Sequence, residues 1–255
     1  MPVQAARIHI GGGDRVGLEP LIRRLERRDV LSAAEKDALS GAVCRTVEVA
    51  ADRDILREHD VPSECRLLLE GWTSRYTLLA GGQPQILGLQ IPGDFIDLQS
   101  FPRRRMDHAI STLTPCRLAV IPHRALHEIM DRNPHLARLL WLDTLVDGAI
   151  SRRWLLNVGH RRAREAMSHL ICELFTRLRT AGMTKARTCQ VPVTQTELGS
   201  ALGLTSVHTN RVVQELRHDG LITWRGTSLT IEDWNRLCRI AEFDPAYLDL
   251  ERAPR

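Results

Sequence analysis

The sequence predicts an α+β chain with a strand-rich region, a long helix and a small helical unit in succession, and three observations predict it. Short apolar stretches punctuated by glycine and proline fill residues 43–121, an apolar-striped run follows Pro134, and two short helical patterns meet at Gly203. A chain of 255 residues is long enough for two domains that each bury a core. With 43% hydrophobic and 26% charged residues, and no uncharged apolar run long enough to span a bilayer, the composition is that of an ordinary globular protein. "ARIHIGGGDRVG" interrupts any leader-like apolar run with charge and glycine, so a cytoplasmic location is expected.

Taken in order, residues 1–20 contain "GGGD" and no apolar period, which predicts a flexible arm. Residues 21–42 carry apolar side chains at helical spacing, with an S-x-x-E capping box from Ser32 to Glu35. The stretches "RLLLEGWTSRYTLL", "QILGLQI" and "CRLAVI" then predict an antiparallel β jelly-roll barrel, and residues 21–133 are assigned to this domain. In residues 134–158, Leu136, Leu139, Leu140, Asp143, Val146, Ile150 and Trp154 fall on or near one stripe. Their heptad-like spacing predicts a dimerisation helix with those residues at the seam. Gly159 breaks the helix at a plausible hinge, and a further helix ends at Gly182.

The last domain, residues 159–255, contains "TQTELGSALGLTSVHTNRVVQELRHDGLI". Thr194 and Glu197 form a capping box, Gly203 supplies a left-handed turn, and Thr205 caps a second helix. Thr209, Val212, Val213 and Leu216 make the face that packs inward, against Leu198 and Leu202 across the small Gly199. The opposite face presents Ser206, Val207, Asn210 and Arg211, short side chains near the helix N-terminus that suit a major groove. Arg211 can pair with guanine, Asn210 with adenine, and Val207 can touch a thymine methyl. "GLITWRGTSLTI" predicts a hairpin wing whose Arg225 meets a phosphate. A net charge of +4 permits a polyanionic partner without demanding one.

The whole arrangement after residue 20 resembles the Crp/Fnr family of bacterial transcription regulators. The "PGDFIDL" turn, "LLLEGWTSRY", "VTQTELGSALGLTSVHTNR" and "FDPAYLDL" look like a subgroup found in alphaproteobacteria. The resemblance implies a cyclic-nucleotide-binding-like barrel, a long dimerisation helix and a C-terminal winged helix-turn-helix. It also implies a homodimer that reads a pseudo-palindromic operator in double-stranded DNA and works, as activator or repressor, with RNA polymerase. Carried over by position, Ser206, Val207, Asn210 and Arg211 face bases, while Thr194, Gln195, Thr205 and His208 lie near phosphates. The family often has Glu where Val207 stands, so a cytosine-reading carboxylate is missing.

No cofactor is expected, and the barrel departs from the family's nucleotide-binding pattern. Cyclic-AMP-binding members carry a Gly-Glu pair for the ribose and an Arg-Ser pair for the phosphate. "GDFIDLQSFPRRRMDHAIS" has no Gly-Glu, and Met106 and Asp107 align with the Arg-Ser pair. A carboxylate there repels phosphate, which speaks against cyclic AMP; Arg103, Arg104 and Arg105 read as a solvated loop. The six cysteines, at 44, 65, 116, 172, 189 and 238, include no C-x-x-C, and none precedes Cys44, which speaks against an iron–sulfur cluster. Ten histidines leave haem open; His123 and His127, four apart, read as exposed helical residues rather than metal ligands. Cys116, His108 and Asp107 lack nucleophile geometry, so no enzyme is expected. The alternative to a regulator that binds DNA unaided is an effector-dependent sensor, for haem, redox or another small molecule, whose DNA binding requires that ligand.

Overall fold

The computed structural model describes residues 17–253 and the backbone of residues 7–9. Its elements run β1 (Arg7–His9), α1 (Glu19–Glu26), α2 (Ala33–Ala42), β2 (Arg45–Val49), β3 (Asp54–Leu56), β4 (Glu64–Glu70), β5 (Thr73–Leu78) and β6 (Pro84–Gln90). They continue through α3 (Ser100–Arg103), β7 (Ala109–Thr112), β8 (Cys116–Pro122), α4 (His123–Arg132), α5 (Pro134–Gly159) and α6 (Ala163–Thr180). The chain ends with β9 (Thr184–Lys185), β10 (Thr188–Gln190), α7 (Gln195–Leu202), α8 (Ser206–His218), β11 (Ile222–Arg225), β12 (Ser228–Ile231), α9 (Trp234–Ala241) and a 3₁₀ turn at Pro245–Leu248. Most of the expected N-terminal arm lies outside the described residues; within it, Arg7–His9 pair antiparallel with β2, and α1 begins at Glu19.

The described residues form two compact units, one built around residues 17–76 and 89–145 and the other around 77–88 and 146–251. The division falls inside α5, whereas the sequence-based boundaries follow the ends of that helix. Two four-stranded sheets, ordered β1-β2-β8-β4 and β3-β7-β5-β6, make the barrel. β8 lies between β2 and β4 and is buried from Leu118 to Ile121. Alternation along the strands sorts their side chains. Leu68, Cys116 and Leu118 face one core with Ile96, Met106 and Ile110. Cys65, Leu67, Leu69, Ala119 and Ile121 face a second core with Leu21 and Leu25 of α1, Leu39 of α2 and Leu126 of α4. The expected helical lead-in consists of two helices, and Ser32 caps the second through the predicted box with Glu35.

Buried charge completes this unit. Asp97 is fully buried and accepts from the backbone N–H of Arg66 at 2.6 Å and from its guanidinium at 2.8 Å. Burial outweighs these bonds and raises its carboxyl to about 6. Asp143 of α5 is bridged by Arg24 at 2.8 Å and by Arg28 at 2.9 Å, with Arg28 itself buried.

The second unit is organised around α6, whose residues Ala166 to Thr176 are all buried. Arg162 leads into it, with Glu165 accepting from the Arg162 backbone N–H. Gly182 closes the helix as the sequence predicts, with Met183 N–H returned to Leu178 O at 2.8 Å. Buried Glu173 accepts from Trp154 Nε1 at 3.1 Å, from the Tyr247 hydroxyl at 2.9 Å and from Arg177 at 3.3 Å. One turn earlier His169 meets Asn157 at 3.4 Å and stacks on Tyr247 with ring centroids 6.0 Å apart. Burial, with Arg161 and Arg153 nearby, drives the His169 imidazole down to about 3, so it is neutral in the folded state.

Candidate nucleic-acid interface

The geometry of the helix pair follows from five small or polar residues. Glu197 N–H donates to Thr194 Oγ1 at 3.2 Å while the Glu197 carboxylate accepts from Thr194 N–H at 2.6 Å, so α7 starts with the reciprocal box the sequence predicts. α7 ends at Gly203, whose φ of +67° is the left-handed turn conformation that a side chain disfavours. Thr205 then caps α8, its Oγ1 accepting from His208 N–H at 3.2 Å. Gly199 lets the two helices meet closely: a Cβ there would lie 2.7 Å from Leu204 O and 3.0 Å from Thr209 Oγ1. Thr209, Val212, Val213 and Leu216 are buried, and Leu198 and Leu202 are buried on α7.

That packing leaves the other face of α8 outside. Ser206, Val207, Asn210 and Arg211 are all exposed, Val207 to 79%, and they occupy the first two turns of the helix. Asn210 Nδ2 donates to Gln195 Oε1 on α7 at 2.9 Å, which the sequence did not signal. Arg211 Nε stands 3.7 Å from Glu215, one turn on. An exposed pair of this kind contributes about 0–1 kcal/mol, so another acceptor can displace the carboxylate at little cost. Thr194, Gln195 and Thr205 are exposed at the helix starts, with both threonine hydroxyls engaged as caps; His208 is half-buried.

The predicted wing is present as β11 and β12, joined by Gly226 and Thr227, with Arg225 opposite Ser228 and exposed. It belongs to a four-stranded sheet, ordered β11-β12-β10-β9, whose last two strands sequence reading missed. Thr227 Oγ1 donates to Gln190 Oε1 at 2.7 Å and ties the hairpin end to β10. A second contact missed from sequence holds the far end of α8. Asp219, its C-cap, accepts from Arg164 of α6 at 2.6 Å through its carboxylate and from Arg236 of α9 at 3.0 Å through its carbonyl. The Arg164 bond holds the Asp219 carboxyl below its usual range. Nothing in the local spacing links an arginine on either neighbour to that aspartate.

The comparisons with known proteins agree with this geometry. Residues 153–240 match the Crp-like helix-turn-helix domain and residues 46–133 match the cyclic nucleotide-binding domain. The chain belongs to the Crp/Fnr family. It is similar to the transcriptional activator protein FnrL of Cereibacter sphaeroides, 28% identical over 64% of this chain and 66% of that protein. It is also similar to the transcriptional activator protein FnrA of Stutzerimonas stutzeri, 23% identical over 83% of this chain and 86% of that protein. Among solved structures, that of FixK2 from Bradyrhizobium japonicum superposes with a TM-score of 0.69 at 21% identity, covering 76% of this chain and 96% of that one, which shows the shared fold. The Crp/Fnr family consists of transcription regulators rather than enzymes.

Other residues singled out from the Crp/Fnr pattern fall elsewhere. Met106 is buried in the barrel core, and Asp107 is paired with Arg103 at 3.0 Å and His108 at 2.8 Å. An apolar core side chain and a paired carboxylate thus occupy the two positions that the resemblance sets against the family's Arg-Ser pair. Arg104 adopts φ +64° in the exposed stretch that Arg103 to Arg105 share. His123 and His127 lie on α4 with the Phe101 ring edge-on to both, at 5.5 and 4.6 Å. Cys116 donates to Trp72 O and Thr114 O, and burial pushes its thiol up to about 11.

The residues expected at a dimer seam are largely covered within the chain itself. Leu136, Leu139 and Leu140 are buried in the barrel unit's own core, Asp143 is held by Arg24 and Arg28, and Val146 and Trp154 are buried, with Ile150 half-buried. The free row on α5 is another one: Trp141 is 66% exposed, Leu145 54% and Leu155 71%. With Gly148 and Arg152 these repeat at alternating steps of four and three, the heptad spacing, on a neighbouring face of the helix. One long helix carries two apolar rows, and spacing alone does not say which one the chain itself covers.

Proposed function

We propose that this chain is a homodimeric regulator that reads two-fold-related half-sites in double-stranded DNA through α8. The observation that carries the reading is the exposed, short-chained N-terminal face of that helix, Ser206, Val207, Asn210 and Arg211, held by two capped ends and a close crossing at Gly199. Arg225 and the two cap threonines supply phosphate contacts beside it. Dimerisation proceeds through the exposed row Trp141, Leu145 and Leu155, which is too apolar for water along a helix of 26 residues. The named activators among the relatives support activation of transcription as its role, with RNA polymerase the partner that the family resemblance implies.

The barrel in this reading takes no cyclic AMP, supported by the burial of Met106 and the pairing of Asp107. The test is selection of bound duplexes from a random pool by the purified protein, without effector and at fixed moderate salt. A two-fold-symmetric site whose affinity falls steeply with salt is the expected result. No enrichment, with and without cell extract, removes the DNA reading.

A further inference from the structure

Cys172 of α6 and Cys238 of α9 place their sulfur atoms 3.9 Å apart inside the DNA-binding unit. Cys172 is fully buried and Cys238 is half-exposed, so an oxidant from solvent meets Cys238 first. The two sulfur atoms share a hydrogen bond in which either can donate; that bond, with the Arg179 guanidinium nearby, lowers the Cys238 pKa, while the bond and burial raise that of Cys172. The contrast with other thiols is clear. Cys65 and Cys116 donate to oxygen atoms, and burial raises them to about 12 and about 11.

We propose that Cys172 and Cys238 are a modification site, a thiol pair that a hydroperoxide oxidises to an intramolecular disulfide and that thereby weakens the hold of α8 on DNA. In the first step the Cys238 thiol gives up its proton, the thiolate attacks one oxygen of hydrogen peroxide, the O–O bond breaks, and the leaving hydroxide takes up that proton to become water. Cys238 is then a sulfenic acid. In the second step the Cys172 sulfur attacks Cys238 Sγ, the S–O bond breaks, and hydroxide leaves with the Cys172 proton as a second water. Two electrons pass from the two sulfurs to the peroxide, and the balance is two thiols plus one peroxide to one disulfide plus two waters.

The link to DNA runs through Asp219. A disulfide requires the sulfurs to close from 3.9 Å to about 2.0 Å, which draws α9 against α6. These are the two helices whose Arg236 and Arg164 grip the C-cap of α8. Shifting one grip relative to the other tilts the recognition helix. This last step rests on the reading of α8 as the DNA-contacting helix; the crosslink does not.

The reduced full-length protein is exposed to hydrogen peroxide, its remaining thiols are alkylated, and it is digested without reduction for peptide mass mapping. A peptide joining Cys172 to Cys238 is expected, absent in Cys238→Ser, together with a several-fold loss of affinity for the selected duplex that dithiothreitol reverses and Cys238→Ser does not show. Alkylated Cys172 and Cys238 at a dose that oxidises the exposed Cys44 overturn the site. A crosslink with unchanged affinity overturns the switch. Reduced protein that binds no duplex at all overturns the DNA reading instead, and the peptide map still decides the crosslink.

Discussion

Asp97 in the barrel unit and Glu173 in the DNA-binding unit are both fully buried carboxylates, yet they are held in different ways. The Asp97 carboxylate takes both a backbone and a side-chain donor from one residue, Arg66 on β4. Glu173 collects donors from three segments: Trp154 of α5, Arg177 of its own helix and Tyr247 near the C-terminus. The first fastens a turn to a strand; the second is the meeting point of a tertiary assembly. Removal of a carboxylate therefore costs most where several separate segments depend on it.

Substitution tests this most strongly at position 173. Glu173→Ala leaves buried Trp, Tyr and Arg donors without an acceptor and should destabilise the DNA-binding unit by about 3–5 kcal/mol. Denaturant unfolding followed by tryptophan fluorescence measures it. Asp97→Asn keeps an oxygen for the Arg66 backbone N–H and should cost far less; an equal loss at both positions would break the comparison.

Acid should act in opposite directions through two buried groups, His169 and Asp97. The folded-state value of His169, about 3, lies below its ordinary 6.5, so the folded unit binds fewer protons than the unfolded chain. Its stability then falls as pH drops below about 6.5, and about 2 kcal/mol is lost by roughly pH 5. The value for Asp97, about 6, lies above its ordinary 3.8, so its contribution favours folding at low pH and is lost as pH rises from about 4 to about 6. Stability of the parent relative to His169→Gln, and separately to Asp97→Asn, measured across that range, isolates each slope and its sign.

Smaller effects should appear at the exposed face. Arg211→Ala should weaken the selected duplex by about 1–3 kcal/mol and relax one base position, because it removes a bidentate donor. Unchanged sequence preference in a repeated selection would take Arg211 out of the reading role. Thr205→Ala should cost about 1 kcal/mol in thermal unfolding, the usual worth of an N-cap.

What sequence reading reached follows the same division between local and assembled features. Both capping boxes, the left-handed turn at Gly203 and the inward face of α8 are set by residues within a few positions of each other. The two rows on α5 interleave within a single helix, so choosing between them needs the positions of Leu21, Arg24 and Arg28, far away in the chain. The Cys172–Cys238 approach and the Glu173 cluster likewise join segments that no motif connects. β9 and β10 escaped notice because they are only two and three residues long.

The close crossing at Gly199 makes α8 a lever with its fulcrum near one end. Thirteen residues span about 20 Å at 1.5 Å per residue, so a rotation of roughly ten degrees at the crossing carries the far end by about the 3.4 Å that separates successive base pairs. The missing side chain is in effect a gauge block: it sets the angle at which this helix meets anything laid against it. A methyl group added at position 199 would displace the far end of α8 most, at Asp219 and its two arginine partners, and the first two turns beside the crossing least.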